Sequence, residues 1–417
     1  MRIVIVSQFF HPEPAITVNE LCRRLVADGH DVHVVTGYPN RPGGRLYDGY
    51  RQRLRHTETW EGAIVHRVPL LINHDRRAAR RIGNFVSFAL ASLLKTRIGG
   101  SADVVYVYAT PMTAAVAPLV WRKLFDTPYV LHVQDLWPES VTESGMLGRG
   151  VVVRAADLIL RQFVGRLYRE ASHVVAIAPR MAGTLAARGV PADRLHTSLN
   201  WADERSVSPV DRVPEEGGPV RFVYAGNIGV FQDVGTILEA AAMLQDLPGV
   251  HIDVFGDGTE LPGLLERSRP LTNITFHGRV PRTEMAEVYR RSDFQLITLR
   301  DLPLFRGTIP SKFQGAMAAG IPVVTSVPGD VNALVSNHGV GLTARPEDPE
   351  DLAAAIRRAA ELTDEERKSM RDQARNFYRA RMSVDQGYAR LRTLLERAGT
   401  SRVRSARHRL QKNGDPR

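Results

Sequence analysis

Short apolar runs recur along this chain, each followed by turn residues and then by a stretch whose apolar positions return at helical spacing. The first half carries them at Arg2 to Ser7, Asp31 to Thr36, Ala63 to Val68, Asp103 to Tyr108, Thr127 to Val133 and His173 to Ile177. Runs so compact and continuous are strands buried on both faces, and strands that alternate with helices form parallel sheets. From Trp201 to Val220 the pattern breaks into a polar stretch with three prolines and two adjacent glycines. It then restarts at Arg221 to Tyr224, His251 to Phe255, Asn273 to Phe276, Phe294 to Thr298 and Val323 to Thr325. At 417 residues the chain is too long for one ordinary core. Two α/β domains are therefore expected, with the boundary in that polar stretch.

Helix starts are marked by polar residues. Thr17 with Glu20, Ser311 with Gln314 and Thr363 with Glu366 have capping-box spacing, Asp233 precedes Val234, Ile237, Leu238 and Ala241 on one face, and Asp348 is followed by Pro349. The loop Phe9 to Val18 follows the first strand, where open α/β sheets bind ligands, although an ordinary connection fits as well. After Gly37 the run Y-P-N-R-P-G-G-R-L-Y-D-G-Y is dense in turn residues and arginine and reads as a mobile loop.

The stretch T-I-P-S-K-F-Q-G-A-M-A-A-G-I-P-V-V-T, from Thr308 to Thr325, is the strongest candidate for a working site. A short helix starting near Ser311 exposes unpaired N–H groups and about half a positive charge, and Lys312 adds a full one, which together suit a phosphate. A capped helix with a solvated lysine is the plainer reading.

Charge and cysteine content narrow the setting. Lys and Arg exceed Asp and Glu by 10, which favours acidic partners, and a single cysteine, Cys22, rules out an internal disulfide and points to an intracellular protein. The opening apolar run is too short for a signal peptide, and no run reaches the roughly 20 apolar residues of a membrane-crossing helix. The segment from Arg76 to Arg97 has an uncharged centre, Ile82 to Leu94, between basic clusters. It suits a membrane interface or a buried helix with basic ends. Arg149 to Ala171 is a second helical pattern, with five arginines on or beside an apolar face, and the end of the chain, with Arg402, Arg404, Arg407, Arg409 and Lys412, reads as a disordered basic tail. No aromatic-rich basic motif of a nucleic-acid module occurs, so no nucleic-acid partner is expected.

In order and spacing, H-V-Q-D-L-W-P-E-S, Y-A-G-N-I-G-V-F-Q-D, F-G-D-G-T-E and P-S-K-F-Q-G-A-M-A-A-G-I-P-V-V make the chain similar to retaining glycosyltransferases of family four. The branch it most resembles assembles bacterial surface polysaccharides with amino sugars. That resemblance implies the α/β GT-B fold, two Rossmann-like domains facing a central cleft. It divides the chain into an acceptor domain over 1–201, a linker over 202–220, a nucleotide-sugar domain over 221–382, a C-terminal helix over 383–397 that can cross back to the first domain, and the tail 398–417.

The resemblance also implies roles. The backbone of Gly226, Asn227 and Gly229, with Gln232 and Lys312, would face the donor diphosphate, Ser311 and Gln314 would also bind donor, and His277 to Val280, including Gly278 and Arg279, would frame the base. Phe9 to Val18 would close over the sugar phosphate. Fixed N–H groups and a lysine can stabilise a departing diphosphate without a metal, so no cofactor is expected. The implied partners are a nucleotide sugar, with UDP as the nucleotide, a lipid-linked or glycan acceptor, and an anionic membrane surface on the cytoplasmic side.

Two departures from the family pattern stand out. Its pair of acidic residues is replaced by Gly307 and Gly315, so ribose falls to backbone, water or Gln314. Gly315 within a helix costs about 1 kcal/mol relative to alanine and is expected to reflect tight packing, with close ligand approach as the other reading. Where many relatives have a histidine, this chain has Gln134, with His132 two residues earlier as a third candidate catalytic residue after Asp135 and Glu139. Asp135, then Glu139, are the carboxylates expected to steady charge on the sugar and orient the acceptor hydroxyl, or else to form structural salt bridges. A sugar-nucleotide 2-epimerase on the same scaffold and a non-catalytic glycosyltransferase-like subunit are the alternative functions.

Overall fold

The computed structural model describes residues 1–41, 43–72, 78–137, 151–213, 217–281 and 284–413. The chain forms two compact units: Met1–Ser198 with Gly387–Arg417, and Leu199–Gln386.

The first unit holds an eight-stranded sheet. Its strands are β1 (Arg2–Ser7), β2 (Asp31–Gly37), β3 (His56–Trp60), β4 (Ala63–Val68), β5 (Val104–Ala109), β6 (Tyr129–Val133), β7 (His173–Ala176) and β8 (Leu195–Thr197), in the order β3-β4-β2-β1-β5-β6-β7-β8. All pairings are parallel except the β3–β4 hairpin. Ile3 to Val6 and Val104 to Val107 are fully or almost fully buried, because helices cover both faces of the central strands. Winding reverses between β1 and β5, so the loops after these two strands diverge and leave space for a ligand.

The second unit holds β9 (Val220–Ala225), β10 (Val250–Phe255), β11 (Ile274–Gly278), β12 (Phe294–Ile297), β13 (Val323–Thr325) and β14 (Gly341–Thr343), ordered β11-β10-β9-β12-β13-β14 and parallel throughout. Phe222 and Phe294 are register partners whose rings stack 5.4 Å apart at its centre. Winding reverses between β9 and β12. The sequence pattern misses β3, β8 and β14, which lie at or next to sheet edges and are wholly or largely only half-buried.

Helix starts differ from several expectations. The helix Ile16–Ala27 has Ala15 at its N-cap with no side-chain bond, and Glu20 pairs with Arg23 and Arg24 instead of capping. Pro310 occupies the N-cap of Ser311–Ala319, so Ser311 is already inside the helix and Gln314 donates to the Ile309 carbonyl at 3.3 Å. Side chains one position into a helix, as at Ser311, or two, as at Thr17, cannot reach the amide that an N-cap reaches, so neither spacing makes a capping box. Asp233 stands at the N-cap of Val234–Ala242 in a left-handed conformation and bonds the Thr236 side chain, not a backbone amide. Asp348 does cap, accepting from Asp351 N at 2.9 Å, and Thr363 with Glu366 forms a full capping box.

Residues expected as linker pack on the second unit: Val210 N donates to Ala319 O at 3.0 Å, Val213 N to Arg290 O at 2.9 Å, and Arg212 pairs with Asp293. The last helix, Val384–Asn413, runs past Arg397 instead of giving way to a disordered tail. Within the first unit Ala398 is buried, a Cβ on Gly399 would lie 2.1 Å from Met1 Cε, and Arg402 donates to Gly100 O at 3.0 Å. Those contacts give the helix a surface to continue along. The insertion after Gly37 begins as packed chain, with Tyr38 and Asn40 buried, so at least its start is held in place.

Between Arg76 and Arg97 the chain forms the helix Ala78–Ser92, then a tighter turn and a second short helix. Asn84, Phe88, Ala89 and Ser92 face the core, while Val86, Leu90 and Leu94 are 43%, 60% and 64% exposed. The buried-helix reading thus holds for one face, while the other presents apolar side chains at the surface. Among the described residues no helix is long and apolar enough to cross a membrane.

Candidate active site

In the second unit the expected phosphate-binding residues gather at the carboxyl ends of β9 and β12, where the winding reverses. β9 ends in the turn Gly226 to Gln232, and the loop after β12 leads through Pro310 into Lys312. Lys312 Nζ sits 3.5 Å from the centroid of the Tyr224 ring, a cation–π contact that fixes the ammonium at the end of the strand. A Cβ on Gly226 would come within 2.3 Å of Lys312 Cε, so only glycine, here at φ +146°, lets the lysine cross the turn. Part of the Lys312 side chain remains open to solvent, yet the crowding protein pulls its pKa down to about 7 by burial. An arriving anion would restore the lost charge.

The turn is rigid. Tyr224 OH donates to Asn227 O at 2.6 Å, Asn227 Nδ2 to Gln232 Oε1 at 2.8 Å, and Thr298 Oγ1 to Gln232 O at 2.6 Å. Gly226 N and Ile228 N donate to Phe255 O and Asp257 O, both at 2.9 Å. Gly256, at φ +141°, lies so close that a Cβ there would stand 1.8 Å from Gly226 O. This interlock explains the F-G-D-G motif as a backbone seat for the neighbouring turn.

Gly278 O accepts from Gly256 N at 2.7 Å, which ties the β11 end to the same group of loops, and Arg279 reaches Asp257 at 3.1 Å. Val280 follows half-buried, and Ser311 is exposed. Gly315 does not meet the packing expectation: a Cβ there would find only Tyr289 OH, at the ordinary distance of 3.6 Å.

The first unit presents a different set. Asp135, just past β6, is exposed by surface area, and the Thr110 hydroxyl donates to its Oδ2 at 3.1 Å. Surrounding protein raises its pKa by desolvation, opposed by the Thr110 bond and the nearby Arg41 charge. Among the described residues it forms no ion pair, so the salt-bridge reading finds no partner there. Thr110 follows β5 and Asp135 follows β6, adjacent strands beside the winding reversal.

His132 is 1% exposed, its Nδ1 shares a 2.6 Å hydrogen bond with Tyr106 OH, and burial lowers its pKa to about 3. It is a neutral side chain within the sheet, away from the surface that carries Asp135. Gln134 is buried, and Glu139 lies outside the described residues. No group of three or more His, Cys, Asp or Glu among the described residues is placed to hold a metal ion.

Residue spacing alone did not find Tyr224 as the platform for Lys312, Thr110 as the partner of Asp135, or Arg41 beside it. The motif F-G-D-G-T-E marked the glycine seat, but nothing in it named the strand it supports.

Comparison with known proteins bears on the chain as a whole. Residues 14–201 match the family described as glycosyl transferase 4-like domain, and residues 219–361 match glycosyl transferases group 1. WbjE of Pseudomonas aeruginosa, named as a glycosyltransferase, is 25% identical over 70% of this chain and 74% of its own length. WcaI of Escherichia coli, assigned by its name to colanic acid biosynthesis as a glycosyl transferase, is 25% identical over 86% of this chain and 92% of its own. The crystal structure of HepE from Anabaena in complex with UDP and glucose superposes with a TM-score of 0.64, at 14% identity, over 95% of this chain and 99% of that one. With two matched domains that together take in most of its length, the chain is a glycosyltransferase of the GT-B fold, a glycosyl transferase 4-like domain followed by a group 1 domain.

Proposed function

We propose that this enzyme moves an N-acetylated amino sugar from a UDP-sugar to a lipid-linked or glycan acceptor in surface-polysaccharide biosynthesis, with retention at the anomeric carbon. The observation that carries the reading is Lys312, seated on Tyr224 across Gly226 at the start of the helix Ser311–Ala319. This cation and the adjoining amides suit a diphosphate. HepE binding UDP and WcaI serving colanic acid support the nucleotide and the pathway class by likeness.

In the proposed reaction the bond from the anomeric carbon to the diphosphate oxygen breaks, and the acceptor oxygen bonds to the same face. The hydroxyl proton passes to the departing oxygen. Lys312 and the Gly226 to Gly229 turn stabilise the negative charge that grows on the diphosphate, and Asp135 orients the acceptor hydroxyl and steadies positive charge on the sugar. Gln314 is engaged with Ile309 O, which leaves ribose to backbone or water.

The exposed Val86, Leu90 and Leu94, on a segment flanked by basic residues, support a seat on the inner face of the cell membrane, where a lipid-linked acceptor presents its sugar. The direct test is thermal shift with a panel of UDP-, GDP- and dTDP-sugars. A ligand at 100 times its dissociation constant adds about 2.7 kcal/mol, so UDP-N-acetylhexosamines should raise Tm most. No shift with any UDP-sugar would refute the donor assignment.

A further inference from the structure

The first unit contains a cation that the proposed transfer does not use. Glu13 is buried, and one carboxylate oxygen, Oε1, accepts from both Asn40 N at 2.7 Å and Arg41 N at 2.8 Å. Two backbone amides on one buried carboxylate oxygen pin the start of the insertion after β2 to the loop after β1. The Tyr47 hydroxyl adds a bond to the Arg41 carbonyl. So held, Arg41 lays its guanidinium over the Phe9 ring, 4.3 Å from the centroid, and Phe9 itself is buried.

The residue is exposed, and among the described residues its guanidinium meets no carboxylate within ion-pair distance. It lies close enough to Asp135 and Tyr108 for its charge to oppose the rise that burial gives the pKa of each. An arginine stacked on a ring keeps its planar edge and its N–H donors free for a bidentate anion, and losing fewer rotamers on binding favours that use. A solvated surface arginine would need neither the stacked ring nor the buried carboxylate behind it.

We propose that Arg41 is a binding residue for a phosphate or diphosphate group carried by the acceptor, with Glu13 as its positioning residue. The acceptor class is then a glycosyl diphosphate or phosphate, with its reacting hydroxyl toward Asp135 and its anionic group on the Arg41 fork. The assignment rests on the glycosyltransferase reading above. Two sources could supply such an anion, the donor or the acceptor. The acceptor is favoured because Arg41 shares its unit with Asp135, while the donor diphosphate has its own cation in Lys312.

The test titrates the full chain, saturated with UDP, with inorganic pyrophosphate. A second arm uses Lys312→Ala protein without nucleotide, in which the donor site has lost its cation. Arg41→Gln should weaken pyrophosphate binding about tenfold or more in both arms and leave the UDP affinity of otherwise unaltered protein unchanged. Arg41→Lys, which keeps the charge and loses the planar fork, should fall between. Glu13→Ala should weaken pyrophosphate as Arg41→Gln does, the double variant should be no worse than either single one, and Glu13→Gln should restore most of the loss by offering its amide oxygen to the same two N–H groups.

Equal pyrophosphate affinity with and without Arg41→Gln, or no pyrophosphate binding in either arm by protein that keeps Arg41, would overturn the proposal. A fall in UDP affinity as large as that for pyrophosphate would overturn it too, by assigning Arg41 to the donor. Failure of UDP to bind the parent would instead count against the donor reading, and the second arm would still decide the case of Arg41.

Discussion

A lysine whose pKa has been pulled to about 7 binds an anion only after taking up a proton in part of the population, and this makes Lys312 a measurable residue. In the free protein it is mostly charged below pH 7 and mostly neutral above it; a bound diphosphate stabilises the charged form and raises the pKa. UDP affinity should therefore fall as pH rises above 7, by up to about tenfold per pH unit, with proton uptake on binding visible as a buffer-dependent enthalpy. Lys312→Arg, charged throughout, should flatten that profile, and Lys312→Ala should weaken UDP about tenfold or more at pH 6.5, from the loss of a charge-assisted bond of roughly 1.5 to 3 kcal/mol. A flat profile in the parent would show that the lysine does not meet the diphosphate. Asp135 has the opposite sign. Desolvation raises its pKa, so on acidification it protonates earlier than an ordinary aspartate, and the acid limb of kcat should lie above the ordinary aspartate range. Asp135→Asn should keep Tm and UDP affinity while kcat falls strongly. A lower Tm with kcat kept would return the residue to a structural role.

The helix Ser311–Ala319 delivers Lys312, and its composition is a compromise. Phe313, Ala316 and Met317 are buried against the sheet and the helix Asp364–Arg381, whereas Gly315 faces a space that an alanine methyl would fill without displacing anything. Gly315→Ala should thus raise stability by about 0.5 to 1 kcal/mol, read as a higher urea midpoint at constant m-value, because alanine restricts the unfolded chain and favours helix. If the same variant also weakens UDP binding, the glycine is there to admit ligand; unchanged binding would leave it without a role at that site. Gly256 is the contrasting case, since any side chain would strike the Gly226 carbonyl and displace the turn beside Lys312. Both glycines stand in well-matched motifs, and only their surroundings tell them apart.

As a whole the chain carries an excess of 10 positive charges and an apolar stripe, Val86, Leu90 and Leu94, on the unit proposed to bind acceptor. Burying three such side chains in a bilayer interface is worth several kcal/mol at about 1.5 to 3 kcal/mol each, and basic residues near an anionic surface add about 1 kcal/mol apiece. Sedimentation with vesicles containing anionic lipid should bring the protein down at low salt and release it as salt rises. Replacing Val86, Leu90 and Leu94 with serine should reduce vesicle binding about tenfold or more while Tm changes little, because these side chains are already in water. Equal binding of parent and variant, or none by either, would return the stripe to an incidental feature of a surface helix.

Strands such as Ile3 to Val6 and Val104 to Val107 can be read directly because burial on both faces demands continuous apolar runs, a one-dimensional requirement. The caps at Asp348 and Thr363 are equally local, each bond reaching only three residues along the chain. β3, β8 and β14 leave weaker traces, since half-buried strands at or near a sheet edge tolerate polar residues, and Ser311 misleads because the Pro310 ahead of it takes the N-cap. Lys312 on Tyr224, Arg41 behind Glu13 and Thr110 beside Asp135 have no counterpart in any local pattern. These pairs are joined by the order of strands in each sheet, which brings loop ends from distant parts of a unit to that unit's own winding reversal. Side-chain chemistry there depends on which neighbour supplies the ring, the carboxylate or the space, and that is settled only when the sheets close.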